Sequence, residues 1–510
     1  MQYGYASSVK FDRKQKKKLQ EANIFLKLKD YYNAYDSYKE LYPLDSLHPE
    51  INHGMGVCYL NFRGREDKAL RHLESARKNG MVETSFYLGR AYHLAERFND
   101  AINEYQYYRS HRKRKVSDEE VERHMQLALR AKEMAENPVD VTIENLGPNI
   151  NSKYQEYVPL VTGDESKLYF TSRRPEGTGD KVDLNGEHYE DVYWSENDPS
   201  GWKKAQNAGP TVNSETHDAT VGITPNGNTM LIYRTNQNIS GGDLYLLNLN
   251  AAGEWDVPNK LGTTINSDHQ EPSASLSSDE RVMYFSSNRP GGMGGKDIYR
   301  VMKLPTGDWS LPLNLGPGIN TPYDEDAPFI HTDGKTLYFS SQGHLGMGGY
   351  DVFKTTLGDS NIWSYPENLG YPINTVENDM FFTLNATGKT GYYSSAKDGG
   401  YGGHDIYKVN MLNNDAYLTV VKGIVVDDST NAPLRAKITL FDDNTHQLQG
   451  IYNSNRSRGN YIVVVVPDRQ YQAIVEVEGY QSIIEYITVT IEETEKDELV
   501  FKEIRVKRKK

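Results

Sequence analysis

Five carboxylates recur at matching places along this chain: Glu156, Asp218, Glu271, Glu325 and Asp379. Each stands five residues after an asparagine (Asn151, Asn213, Asn266, Asn320 or Asn374) that follows Ile or Val and precedes Ser or Thr. If the acids open the innermost strands of a ring, five like charges surround one mouth of its channel, and their repulsion favours a bound cation or a basic group of a partner. The plainer alternative is that each acid caps the turn of its own unit. The asparagines suit a tight turn whose backbone is satisfied by a side-chain amide. A third series, Asp191, Asp243, Asp297, Asp351 and Asp405, leads a D-[IVL]-[YF] phrase, where a carboxylate accepts N–H groups from the loop before it. These last two series read as structural, and no metal is assigned to any of the three.

Motifs of catalytic chemistry are missing: the sequence has no H-E-x-x-H, no G-x-S-x-G and no G-x-x-x-x-G-K-[ST]. The thirteen histidines are scattered, and His217, His269, His331, His344 and His404 share no repeated position. The glycine loops at 291–295 and 346–349 lie between predicted strands rather than at helix starts, which argues against nucleotide binding. No cofactor and no enzyme activity is expected; a hydrolase site assembled from distant loops is the exception left open.

The elements that position these residues come from one sentence written five times. Its copies open at Asn145-Leu146-Gly147, Asn207-Ala208-Gly209, Lys260-Leu261-Gly262, Asn314-Leu315-Gly316 and Asn368-Leu369-Gly370, with the glycines 62, 53, 54 and 54 residues apart. Each copy runs through an [IV]-N-[ST] turn, two short apolar strands, a loop that is usually Gly-rich, and a third strand. A fourth strand carries Trp202, Trp255, Trp309 or Trp363 in the first four copies. Four short strands per repeat with Gly-rich hairpins predict the blades of a β-propeller. The first copy departs from the pattern: its loop is longer, and Tyr189-Glu190 stands before Asp191 where the other four have paired glycines. The fifth lacks a fourth strand, and residues 141–146, ahead of the first copy, are expected to supply it and close five blades with no free edge. The repeats resemble the TolB-type, WD-like propeller family over about 270 residues, most closely at 284–289 and 294–299.

Between residues 15 and 136 the apolar period is helical, in units about 34 residues apart. The units are Ala22, Phe25, Ala34, Tyr38 and Leu41; Gly56, Tyr59, Ala69, Leu73 and Ala76; and Gly89, Tyr92, Ala101, Tyr105 and Tyr108. They resemble tetratricopeptide repeats without the usual tryptophan, and a helix over 118–136 is expected to cap them. The concave face of such a solenoid suits a peptide or a partner helix, or packs on the next domain. From Leu418 the pattern becomes that of a β-sandwich, with alternation such as Val475, Val477 and Ile484, Tyr486. Residues 421–425, 459–461 and 478–480 resemble the carboxypeptidase regulatory-like domain, an accessory module without peptidase ligands.

The chain has 510 residues, and its net charge of −13 disfavours general nucleic-acid binding, the basic runs at 14–18, 111–115 and 507–510 reading as solvated faces or tails. Cys58, the only cysteine, excludes an internal disulfide and reads as a buried thiol. The longest apolar run, 461–466, is far short of a membrane span. Residues 1–10 lack the apolar core of a signal peptide, so the chain is expected to be either cytoplasmic or a mature form.

The fold class expected is therefore multidomain, α plus all-β: a tetratricopeptide solenoid at 10–137, a five-bladed propeller at 138–413 and a regulatory-like sandwich at 414–510. This order of modules resembles an OmpA-like envelope protein family of Bacteroidota, some of whose members serve type IX secretion and gliding as periplasmic links to the cell wall. The resemblance implies an outer-membrane-associated periplasmic scaffold without catalysis, whose partners are envelope or secretion-system proteins. Peptidoglycan would be reached only through an OmpA-like domain, expected to start just after Phe501-Lys502-Glu503-Ile504, where the sequence ends at Lys510; either the chain is cut short there or wall binding lies elsewhere. The alternative is a receptor whose propeller channel binds a small ligand or cation through the acid ring.

Overall fold

The computed structural model describes residues 9–62, 66–112, 114–179, 181–183, 186–250, 252–358, 360–397, 399–412, 418–455, 457–496 and 499–509. The expected boundary at 413/414 and the last residue of the basic run 507–510 lie outside them. Two compact units emerge: one is Met1–Pro138 with Leu345–Gly348 and Thr375–Glu377, the other is the remainder.

Among its described residues the first unit holds seven helices: α1 (Arg13–Lys27), α2 (Tyr31–Leu41), α3 (Pro49–Tyr59), α4 (Glu66–Lys78), α5 (Thr84–Leu94), α6 (Phe98–Arg109) and α7 (Asp118–Glu136). Their starts follow from local chemistry. Asp12 and Gln15 form a capping box on α1, Asp30 caps α2, Pro49 sits in the first turn of α3, and Ser117 with three following acids starts α7. Consecutive helices pack where a small residue faces a large one: a Cβ added at Gly54 would lie 2.1 Å from Tyr38, and at Gly56 or Gly89 it would lie 2.5 Å from Leu73 or Tyr105. Close packing of any helix pair demands this pairing, so the Ala, Gly and Tyr spacing does not identify a family. A tetratricopeptide solenoid is not supported, and that expectation is withdrawn. With 35% of residues in strands and 20% in helices, the chain is mostly β, which also corrects the composite α plus all-β class.

In the second unit, five antiparallel sheets stand in a ring. The first holds Glu156–Val161, Lys167–Ser172 and Asp191–Asp198 with two short outer strands. The second holds Asp218–Ile223, Thr229–Thr235, Gly242–Asn248 and Asn259–Lys260; the third Ala274–Leu276, Val282–Ser287, Asp297–Met302 and Leu313–Asn314. The fourth holds Glu325–Ile330, Thr336–Ser341, Asp351–Thr356 and Glu367–Asn368. The fifth joins Met380–Leu384, Thr390–Ser395 and Asp405–Met411 to Val141–Asn145, in a register running from Val141 against Met411 to Asn145 against Tyr407. The first strands of neighbouring sheets touch in a closed cycle, the fifth meeting the first. One position of every second strand is fully buried (Phe170, Ile232, Phe285, Phe339, Tyr393), each such side chain contributing about 1.5–3 kcal/mol. The inner strands slip register in the first, second, fourth and fifth sheets, and Val158, Ala327 and Phe381 take the left-handed backbone there, at φ of 50°, 51° and 57°.

Beyond the ring, Asn460–Val465, Thr419–Asp427 and Leu499–Val506 form one sheet, and Leu448–Asn453, Lys437–Asp442, Gln470–Glu476 and Ile483–Thr488 a second, around Val421, Ile438, Tyr461 and Val475. Ile484 and Tyr486 face solvent, contrary to the expected alternation, because Ile487 opposite Tyr471 is the residue that turns inward. This sandwich sits on the turns that join the first two strands of four sheets. Asn226 Nδ2 donates to Asn453 O (2.8 Å), Asn228 Nδ2 to Ser454 O (3.2 Å), Lys422 pairs with Asp164 and Arg435 with Glu280, while Ala386 packs on Val420, Ile462 and Val464. One end of the ring is therefore covered.

Candidate functional site

Glu156, Asp218 and Glu325 begin their inner strands, Asp379 stands one residue and Glu271 three residues before theirs, and all five are buried. Glu156 accepts hydrogen bonds from Ser152 N and Oγ in the turn of its own sheet, Asp218 from Ser214, Glu271 from Ser267 and Glu325 from Thr321. Ser172, Ser287 and Ser341 donate to Glu156, Glu271 and Glu325 from the adjacent strand. Arginines complete three sites, Arg174 on Glu156 (3.3 Å), Arg234 on Asp218 (2.5 Å) and Arg289 on Glu271 (3.2 Å). The same arginines sit over ring faces, as Arg289 does over Phe285 at 4.9 Å. Below this level the channel is filled by Val158, Val221, Ile223, Ala327, Phe329 and Phe381 with Ser273 and Ser275, leaving a void of about 20 Å³. That is room for about one water. The three left-handed residues Val158, Ala327 and Phe381 all face this void.

In the fourth sheet His344 stands where the first three sheets carry an arginine and the fifth carries Lys397, and its Nε2 bonds to Ile319 O at 2.8 Å. Burial pushes the Glu325 carboxyl up to about 7, against the Ser341 and Thr321 hydrogen bonds, with Asp297 adding to the rise. A raised carboxyl pKa means that the folded state holds a proton the unfolded chain has released, so its contribution is full below about 4.5 and lost as pH rises through 7. Glu325→Gln should remove up to about 3 kcal/mol of that pH dependence. Urea unfolding of the variant at pH 5 and pH 8 checks this: a wild-type stability loss unchanged in the variant would assign the effect elsewhere.

The asparagine series ties consecutive sheets together. Asn213 Oδ1 accepts from Val192 N and its Nδ2 donates to Val192 O, and Asn266, Asn320 and Asn374 repeat this with Leu244, Ile298 and Val352. Asn151 makes the same pair of bonds to Ile406, joining the first sheet to the fifth. Of the aspartates, Asp297 accepts from Met293 N, Gly294 N and Asn314 Nδ2, and Asp405 from Tyr401 N, Gly402 N and Asn145 Nδ2. Asp191 accepts from Thr178 N and Asn207 Nδ2, Asp243 pairs with Lys260 at 2.7 Å, and Asp351 begins its strand buried.

A polar cluster at the irregular first sheet was not singled out from the sequence, although Tyr189-Glu190 and the long loop were its signal. The insertion folds back as a small hairpin, with Tyr189 N bonding Lys181 O and Asp183 N bonding Glu187 O. It surrounds Arg173, whose guanidinium reaches Asp183 (3.1 Å), Glu187 (2.8 Å) and Glu190 (2.8 Å). Tyr157 donates to Glu190, Gln155 Nε2 donates to Glu187 at 2.7 Å, and His217 Nδ1 lies 3.3 Å from Glu190. Burial alone would raise the Glu190 carboxyl; the His217 contact and the Arg173 charge outweigh it and hold it down at about 2. Burial and the Glu190 charge push the Tyr157 phenol well above its ordinary range. Tyr189 stacks on His217 at 4.1 Å, Tyr154 meets His188 edge-on at 5.8 Å, and Glu187 is exposed. Among the described residues no group of three or more His, Cys, Asp or Glu is arranged to hold a metal ion, and no helix is long and apolar enough to cross a membrane.

No family model and no curated protein matches the chain. Solved structures match about half of it by shape. They include the catalytic domain of a Coprinopsis cinerea GH62 α-L-arabinofuranosidase, 11% identical over 53% of this chain and 96% of that one, at a TM-score of 0.36. A glycosyl hydrolase from Bacteroides ovatus (10%, 52% and 86%, TM-score 0.36) and an α-L-arabinofuranosidase from Lactobacillus brevis (12%, 51% and 92%, TM-score 0.33) are others. Likenesses this distant carry no activity across. The three named are titled as a glycosyl hydrolase or α-L-arabinofuranosidases, and neither a family model nor a curated protein supports the OmpA-like family, so that membership is withdrawn, together with the carboxypeptidase regulatory-like identity of the sandwich, the non-catalytic scaffold, the type IX secretion role and the exclusion of enzyme activity. That resemblance rested on the order of the modules, while within the ring the Asn series ties one sheet to the next and the Asp series ties each sheet's own loop, so these residues report the blade and not its task.

Proposed function

We propose that the second unit binds a hydroxyl-rich ligand of the carbohydrate class at the hairpin of its first sheet. The observation that carries this reading is the position of the departure: in a ring whose repeated polar residues are committed to its own turns, one sheet alone replaces its glycines and builds a charged, aromatic, partly exposed cluster around Arg173. Loops that break a repeat are where a scaffold carries its task. A sugar hydroxyl both donates and accepts, and here the carboxylates of Asp183 and Glu187 lie beside the amide of Gln155 and the guanidinium of Arg173, with the half-buried faces of Tyr154 and Tyr189 next to them. The hydrogen bonds among these groups fix their orientation before a ligand arrives.

A panel of mono- and oligosaccharides screened by melting temperature tests this. One of them should stabilise the protein, by about 2.7 kcal/mol at a hundredfold excess over its Kd, and Glu187→Gln should abolish the shift while leaving the unliganded melting temperature nearly unchanged. No stabilisation by any sugar would sink the reading. Because carboxylates outnumber the one arginine in the cluster, a primary amine belongs in the panel, and a response to it alone would replace the sugar with a cation. Release of reducing sugar by the wild type, lost in Glu187→Gln, would extend the reading to catalysis.

A further inference from the structure

The first two helices carry a charge opposite to that of the whole chain. Residues 13–41 hold eight Lys or Arg against four Asp or Glu, in a protein of net charge −13. Ile24 on α1 and Leu28, its C-cap, stand four residues apart and are 56% and 70% exposed, and Tyr32 at the start of α2 is 72% exposed. Large apolar side chains this open, on one helix face and its continuation, are unusual for a surface that meets only water. Tyr32 lies against Phe62 at 4.9 Å, Phe62 meets Tyr35 edge-on at 5.6 Å, and Tyr35 meets Tyr59 at 5.3 Å, with their hydroxyls 3.0 Å apart. Lys39 stands 5.8 Å over the Tyr35 ring and Lys68 5.9 Å over Tyr59. Among the described residues neither lysine makes an ion pair, and Lys27 and Lys29 beside Leu28 are exposed as well.

We propose that this face docks an acidic, amphipathic helical segment of another protein, its apolar side chains meeting Ile24, Leu28 and Tyr32 and its carboxylates meeting Lys27, Lys39 and Lys68. The i, i+4 spacing of Ile24 and Leu28 matches the spacing at which a partner helix presents its own apolar residues. The aromatic group has a fixed shape, its rings meeting at 83° (Tyr35 and Phe62) and 63° (Tyr35 and Tyr59), which suits a side chain of defined geometry better than a fluid lipid surface. The lysines add an attraction that steers encounter and weakens with salt. This surface is independent of the ligand site in the second unit.

The test uses the full chain and a fluorescein-labelled peptide of about five helical turns, with Leu and Phe on one face and Glu on the other, next to its Lys-for-Glu counterpart and to vesicles of phosphatidylglycerol. The acidic peptide alone should raise anisotropy. L28S with Y32S should weaken it about tenfold, and K39A with K68A should weaken it several-fold and flatten its salt dependence. All four positions are exposed, so a helix signal matching the wild type confirms that the variants fold. Failure of the acidic peptide to bind at about 1 mM, equal binding of both peptides, or binding of the vesicles alone would each overturn the proposal.

Discussion

At pH 5 the helix signal of this protein at 222 nm is expected to fall while its tryptophan fluorescence stays native. The two probes separate cleanly because all five tryptophans (Trp194, Trp202, Trp255, Trp309 and Trp363) lie in the β unit. The helical unit instead encloses histidines. Burial pushes His53, which contacts Thr84 and Tyr87 and feels Lys115, down to about 4. His93 beside Phe98, facing Arg90, and His72 between Asn52 and the Tyr59 ring, with Arg71 near, are held at about 4 for the same reason. His124, against Phe86 and Tyr105, is lowered too, although Glu120 opposes the shift. A depressed histidine contributes stability that is complete above the ordinary value of 6.5 and is lost as pH falls towards 4, because the unfolded chain takes up the proton first. By pH 5 His53 and His93 each remove about 2 kcal/mol, as an upper bound, and the less buried His72 removes a smaller share. Losses of this size are comparable with the whole stability of a small unit. In the β unit the proton held by Glu325 works the other way and offsets the loss from the lowered His344, while Glu190, held down at about 2, loses its contribution only at lower pH, so acid should weaken the helical unit first. Simultaneous loss of both signals, or an intact helix signal down to pH 4, would refute the assignment.

Asn151→Ala should cost the β unit about 3 kcal/mol or more, seen as a lower urea midpoint by tryptophan fluorescence. The side chain is 2% exposed; its Oδ1 accepts from Ile406 N at 2.8 Å, and its Nδ2 donates to Ile406 O at 2.9 Å and to Asn145 Oδ1 at 2.8 Å. Removing it strands the buried Ile406 N–H, at about 1–3 kcal/mol, and takes one of two donors each from Ile406 O, which keeps Leu146 N, and Asn145 Oδ1, which keeps Gly147 N, at about 0.5–1.5 kcal/mol per lost bond. Asn151→Asp keeps the acceptor and loses both donors, so it should fall between the alanine variant and the wild type. A cost below about 1 kcal/mol for the alanine variant would mean that the seam is held by strand pairing alone.

The repeat was legible because one chain supplied five versions of each turn, and the turn chemistry of Asn, Gly and Asp repeats with the backbone it serves. The partners of the five acids were legible in principle: Arg174 and Arg289 each stand 18 residues after their acid, and Lys397 stands 18 after Asp379. What hid them was that an acid read as one of a set suggests a shared site, while burial divides the set into separate pairs. The seat of the sandwich was not legible, because Asn226, Asn228, Glu280 and Ala386 come from turns that serve their own sheets equally well without it. In the helical unit, small residues opposite aromatics marked the crossings but could not distinguish one helix-pair family from another. The cluster around Arg173 was visible only as a fault in the pattern, and a fault carries no chemistry until the hairpin brings Asp183, Glu187 and Glu190 to one guanidinium.

The pairing of Val141 with Met411 has a consequence for how the protein is made. During synthesis the strand at residues 141–145 emerges early and waits, without its partner, until about 270 further residues have followed it. Four sheets can form as their own strands arrive, each from local hairpins. The last closure joins segments far apart in sequence and so bears the largest entropic cost of any step. Until then the third strand of the fifth sheet exposes an unpaired edge, the species most open to joining another chain. The bond between Asn151 and Ile406 forms only on that closure, which makes the seam both the final event of assembly and the place where a nascent ring is most exposed to error.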